Sequence, residues 1–132
     1  MPTRRTFLLS LATGAAVTLI NPRRLGAENK HPEPRPGVDA SKVLAASALT
    51  EASAAPAFED ARAIPQILDG IRCHCNCGDG KEKYSLLSCY EADGMAQLCD
   101  VCQGQARLAR RLVRLRRSLA QIRDAIDAKW PS

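Results

Sequence analysis

Six cysteines crowd into positions 73–102. They begin as Cys73-His74-Cys75-Asn76-Cys77, continue at Cys89, and close with Cys99-Asp100-Val101-Cys102. No other cysteine occurs in the chain. Thiols oxidise and cross-link, so this crowding needs a purpose: a metal, a disulfide framework or a redox reaction. It also constrains the fold. The remainder is poor in large core residues, and Phe58, Tyr84, Tyr90 and Trp130 are its only aromatics beyond the N-terminal region. A small domain of this kind needs a staple from metal, disulfides or oligomerisation.

The N-terminus sets the compartment. Thr3-Arg4-Arg5-Thr6-Phe7-Leu8 precedes a weakly apolar stretch from Phe7 to Ile20, which is too short to span a bilayer comfortably. Asn21-Pro22 breaks it, and Leu25-Gly26-Ala27 offers a cleavage site. This is the layout of an export signal, and the paired arginines resemble the twin-arginine (Tat) type. The resemblance implies a signal peptide over 1–27 and a periplasmic or otherwise exported protein that crosses the membrane already folded. A cysteine cluster loaded in the reducing cytoplasm can then be carried out intact. No membrane span is expected after cleavage.

The leader also accounts for most of the charge. The chain is +5. Arg4, Arg5, Arg23 and Arg24 supply +4 of that with no acid in 1–27, which leaves the mature part at +1. The high pI is therefore no sign of nucleic-acid binding.

Residues 28–40 read as a proline-rich linker, His31-Pro32-Glu33-Pro34-Arg35-Pro36-Gly37, with His31 solvated. A small all-α domain follows over 41–132. Ser41 is placed to cap a first helix through Val43, Leu44, Ala48 and Leu49, ending before Pro56. A second short helix runs from Phe58 to Leu68, interrupted at Pro65, with Ile64, Ile67, Leu68 and Ile71 on its buried side. Residues 72–82 form a cysteine-rich loop, and Tyr84–Glu91 makes one or two helical turns carrying Cys89.

The pattern then predicts one long C-terminal helix, capped by Asp93 and running to Lys129, about 50 Å in length. Val101, Gln105, Leu108, Leu112, Leu115, Leu119, Ile122 and Ile126 recur at alternating spacings of four and three, a coiled-coil-like seam. Such a seam must pair. The segment 41–68 covers only part of it, so a homodimer, or a partner docked through this helix, is expected. Arg107, Arg110, Arg111, Arg114, Arg116 and Arg117 flank the seam as a solvated face whose stems cover it. The sharper alternative is an acidic partner or an anionic surface. Aromatic interleaving for single-stranded nucleic acid is absent.

Cys99 and Cys102 stand three apart on a helix and share a face. Cys73, Cys75 and Cys77 alternate along a loop that Gly78 and Gly80 let curl, and Cys89 approaches from the adjoining turn. The expected result is a thiolate nest with a core of Cys75, Cys77, Cys99 and Cys102. Cys73 and Cys89 are then outer or bridging ligands, or a disulfide pair. His74 is either a nitrogen ligand or an exposed loop histidine. Soft thiolates suit Zn(II) and Cu(I). Two alternatives stay open. An exported domain with an even cysteine count is the usual setting for disulfides, here stapling an interaction module. Cys99-Asp100-Val101-Cys102 also prompts thiol–disulfide redox chemistry, although Asp100 opposes thiolate formation beside it.

The segment from Ile64 to Gln103 resembles a bacterial family of exported proteins, often lipoproteins, named for a Pro-Cys-Tyr-Cys-Gly-Cys (PCYCGC) motif. The matching residues are Ile64-Pro65-Gln66-Ile67-Leu68-Asp69, Cys73-His74-Cys75-Asn76-Cys77, Ser85-Leu86-Leu87-Ser88-Cys89 and Cys99-Asp100-Val101-Cys102-Gln103-Gly104. Arg72, His74 and Asn76 replace the motif's proline, tyrosine and glycine. The resemblance implies an extracytoplasmic cysteine module that binds metal. No Ser/His/Asp grouping, phosphate-cradling loop or positioned carboxylate pair points to an enzyme. The sequence thus predicts an exported Zn or Cu(I) thiolate protein for storage, sequestration or delivery.

Overall fold

A computed structural model describes residues 31–75 and 83–131. The expected leader over 1–27 and Cys77 lie outside the described residues, which are helical and contain no strand. Pro56 sits in the first turn of helix α1, Ala55–Ala63, where its missing N–H costs nothing. Pro65 likewise opens the short helix α2, Pro65–Asp69, after Ile64 breaks the chain direction. This is the interruption expected at Pro65. Ile64, Leu68 and Ile71 are buried as predicted, with Ile67 packed at the edge of the core. A 3-10 turn, Leu87–Tyr90, carries Cys89.

No α-helix forms over 41–54. Ser41 does not cap one; its N–H is taken by Asp39 Oδ1 at 2.9 Å. Two 3-10 turns, Ala46–Ala48 and Ala52–Ala54, replace it. The alanine-rich segment has no apolar stripe to bury, and its backbone is claimed by distant partners. Leu44 N–H donates to Tyr90 O at 2.9 Å, and Arg62 donates to Leu44 O at 2.6 Å.

The C-terminal region is a helical hairpin rather than one long helix. Asp93 caps nothing of it. Gly94 turns the chain at φ 60°, and a 3-10 turn, Met95–Leu98, follows. Helix α3 then runs Asp100–Arg114, with Cys99 as its N-cap. It stops at Leu115 in a Schellman motif: Arg117 N–H reaches Leu112 O at 3.0 Å and Arg116 N–H reaches Val113 O at 2.9 Å. Arg116 takes the left-handed position, φ 58°, usually given to glycine. Ser118 restarts the chain as helix α4, Leu119–Lys129, through a capping box with Gln121.

This turn folds the seam onto its own chain. Ile122 and Ile126 are fully buried and Leu108 nearly so, whereas Leu115, at the turn, is 59% exposed. Much of the apolar stripe is covered within one chain, where α3 meets α4 and α1. Phe58 and Tyr90 anchor the core edge to face, with ring centroids 4.7 Å apart. Buried alanines on α1 (Ala57, Ala61) and α3 (Ala106, Ala109) keep side-chain bulk small where these helices pack. Of the arginine run, Arg107, Arg111, Arg114, Arg116 and Arg117 are exposed.

Residues 31–36 do not behave as a solvated linker. Arg35 holds the buried Asp69 carboxylate through its backbone N–H at 2.7 Å and its guanidinium at 2.8 Å, and Ser85 Oγ adds a third donor at 2.7 Å. Burial opposes the Asp69 charge, but these hydrogen bonds outweigh it and keep its carboxyl below the usual range. From α4, Arg123 donates to Gly70 O at 2.7 Å and Pro32 O at 2.8 Å. No described helix is long and apolar enough to cross a membrane.

Candidate metal centre

Three short pieces of chain converge on one point: the irregular segment 72–75, the 3-10 turn at Cys89, and the start of α3. Cys99, in extended conformation, turns its Sγ onto the N–H of Cys102 at 3.3 Å and so caps the helix with sulfur. Cys102 occupies the first turn, where unpaired N–H groups and the helix dipole favour negative charge. Its Sγ is 3.0 Å from Cys73 Sγ and 3.3 Å from Cys75 Sγ, and Cys73 and Cys75 are 3.1 Å apart. All three spacings exceed a disulfide bond of about 2.05 Å.

Cys89 and Cys99 complete the nest. The sulfurs of Cys73, Cys89 and Cys102 lie within 4.8 Å of one another, and so do those of Cys75, Cys99 and Cys102. Cys102 belongs to both groups. Cys89, Cys99 and Cys102 are buried, and Cys73 and Cys75 are half-buried. Cys73 and Cys75 are thus the most accessible sulfurs among the described residues.

The structure thus brings together five of the six predicted cysteines. Cys73 joins Cys75 and Cys102 in one close triangle of sulfurs rather than standing outside a core. His74 neither joins the sulfurs nor lies exposed. Its side chain is only 3% exposed, and both ring nitrogens are engaged elsewhere. Nε2 lies 2.8 Å from Asp127 Oδ1 on α4; Nδ1 lies 2.9 Å from Gln105 Nε2 and 3.0 Å from Arg72 O. Alternation explains this: with Cys73 and Cys75 turned to the cluster, His74 between them faces the other way.

His31 is the second correction. Arg72 N–H can only donate, and it lies 3.0 Å from His31 Nδ1, so that nitrogen accepts and Nε2 carries the hydrogen. Nε2 then donates to Asp127 at 3.0 Å. Burial holds His31 below its ordinary pKa, with Asp127 opposing the shift. Burial also works against the Asp127 charge, but hydrogen bonds from His31 and then His74 outweigh it and lower its carboxyl. Gln105, fully buried, accepts from His74 N–H and donates to Arg72 O, both at 3.0 Å. Sequence reading missed this support because Asp127 and Gln105 carry no local signature; only their buried polarity, once the fold is known, marks them.

Proton sharing is uneven among the sulfurs. Hydrogen bonds from Cys102 and then Cys73 draw Cys89 down to about 5. The complementary bonds, to Cys73 and then to Cys89, push Cys102 up, aided by burial. One thiolate is thus held by neighbouring thiols. The buried Tyr90 hydroxyl, raised by desolvation, donates to Cys102 O at 2.8 Å and pins the start of α3.

The donor set fits a soft ion. A tetrahedral zinc with 2.3 Å bonds sets sulfurs about 3.8 Å apart. The contacts of 3.0–3.3 Å around Cys102 are tighter, so loading requires the sulfurs to spread by roughly half an ångström. These features define a small helical protein with a buried cysteine cluster able to hold a metal ion. Comparison with protein-family models, curated proteins and solved structures finds no match.

Proposed function

We propose that this chain is an exported protein that binds a soft metal, Zn(II) or Cu(I), through its cysteine thiolates, for storage, sequestration or delivery. One observation carries the reading: five sulfurs from three separate elements meet around Cys102. Soft sulfur donors gathered this closely suit a soft cation, and a bound cation relieves the repulsion between the thiolates that binding creates. Its role is to bind, not to turn over a substrate. Cys73 and Cys75, half-buried, are the described sulfurs that an incoming ion meets first.

Metal per chain and accessible thiols, measured on the same sample from the native compartment, test the reading. Thiols that stay blocked until metal is stripped support it. Removing the ion should also lower helicity or thermal stability, because α3 begins inside the site. Metal-free protein with its cysteines paired as disulfides, and unchanged by chelator, replaces this reading with that of a stapled interaction module.

The extracytoplasmic setting is part of the proposal. It rests on Arg4-Arg5 before Phe7-Leu8 and on the PCYCGC-like spacing. Replacing both arginines by lysine should leave precursor in the cytoplasm. Export that continues in this variant, or in a host without the Tat pathway, removes the case for loading before export.

A further inference from the structure

The end of α3 farthest from the cysteines carries a second chemistry. Arg107, Arg110, Arg111, Arg114, Arg116 and Arg117 lie within residues 107–117, with no acid among them. Five are exposed and Arg110 is half-buried. Among the described residues none of the six forms an ion pair. Asp60, half-buried on α1, feels the charges of Arg110, Arg114 and Arg107 but makes no ion pair with them.

Helix stability does not account for this run. A helix C-terminus favours cations, which suits Arg111 and Arg114 in the last turn of α3. Arg107 stands about two turns earlier, and Arg116 and Arg117 stand beyond the helix. Arg107 with Arg111, and Arg110 with Arg114, are like-charge pairs four apart, which weaken a helix. Leu115 sits in the middle of this charge, 59% exposed at the turn into α4.

We propose that the bend between α3 and α4 docks on an anionic lipid surface, with the guanidinium groups on lipid phosphates and Leu115 at the boundary of headgroups and acyl chains. The guanidinium fork matches phosphate oxygens in pairs. A basic cluster around an exposed apolar side chain is the composition of an interfacial anchor. A protein partner fits less well, because the core of such an interface is depleted of charge. Nucleic acid fits less well, because residues 107–117 contain no aromatic ring for a base to stack on. The rise along α3 from Cys102 to Leu115 is about 20 Å, so the docking end and the cysteine cluster are separate parts of the molecule.

The test places a reporter in the bend. Full-length Leu115→Trp protein is mixed with vesicles of phosphatidylglycerol and chain-brominated phosphatidylcholine, and its tryptophan quenching is read as the difference from wild type. Trp130, the sole tryptophan of the natural chain, packs beside Gly104 toward the cysteine end of α3 and serves as the internal reference. The new tryptophan should be quenched on these vesicles, far less on brominated phosphatidylcholine alone, and released by salt. Adding Arg111→Gln, Arg114→Gln and Arg117→Gln should raise the lipid concentration at half-quenching by roughly a hundredfold, since each arginine near such a surface is worth about fivefold. Arg111→Lys, Arg114→Lys and Arg117→Lys together should retain most of the binding. Helicity is followed in each variant to confirm folding. Arg4, Arg5, Arg23 and Arg24 are common to all of them, so the differences read the bend.

No quenching of the new tryptophan, equal quenching on neutral and anionic vesicles, or an unchanged midpoint in the glutamine variant overturns the proposal. Binding to soluble polyglutamate in place of vesicles overturns it too, and makes an acidic polypeptide the occupant. None of these results bears on metal binding by the cysteines.

Discussion

The imidazole of His74 and the carboxylate of Asp127 meet at 2.8 Å, joining the residue between two cluster cysteines to the last turns of the chain. On the other side of the ring, Nδ1 lies 2.9 Å from the Gln105 amide nitrogen. The same carboxylate accepts from His31. Helix α4 therefore sets the orientation of the segment that presents Cys73 and Cys75, although it contributes no sulfur of its own.

Asp127→Asn should weaken this grip without emptying the cluster. Outer partners that orient metal ligands are typically worth 10–100-fold in affinity. Cu(I) affinity by chelator competition should fall by about that factor, with the helical signal retained. Unchanged affinity would show that the loop holds its shape without α4.

The break at 115–118 is open to a test in which the two possible helices differ in sign. In the hairpin, Ser118 caps α4, and Ser118→Ala should cost about 1 kcal/mol. Arg116→Gly should add about 1 kcal/mol by relieving the left-handed strain at φ 58°. In one continuous helix both signs reverse, because alanine exceeds serine, and arginine exceeds glycine, in helix propensity. Urea unfolding of the two variants decides.

Asp69 should make the fold acid-sensitive. Its carboxyl titrates below the unfolded value of about 3.9, so between the two points the unfolded chain holds a proton that the folded chain does not. Stability from this group is complete above the unfolded value and is lost as pH falls through the folded one. Asp69→Asn should lower stability at neutral pH by roughly 3 kcal/mol and flatten its acid dependence. The figure is at the low end for a broken buried pair because Arg35 remains 42% exposed and solvent screens it. Denaturant midpoints across pH for both proteins test this.

Local spacing determined much of the molecule. Cys99 and Cys102 stand three apart, which sets one at the N-cap of α3 and the other in its first turn, and Cys73 and Cys75 meet 3.1 Å apart with one residue between them. Pro56 and Pro65 open helices for the reason proline always can, a missing N–H where none is needed. Ile64, Leu68 and Ile71 are buried as their spacing requires. The hairpin was half legible: Ser118-Leu119-Ala120-Gln121 has the pattern of a capping box, but the apolar recurrence runs straight through it, and no glycine or proline marks the stop. Only the tertiary structure decided that Arg116 would bend the chain, because the return is stabilised by burying Ile122 and Ile126 against α3 and not by any local preference. The same holds for His31 and His74, which find Asp127 across 96 and 53 positions of chain. It holds too for Cys102 at the centre of the cluster, since the meeting of three elements at one sulfur is set by packing, which no spacing along the chain encodes.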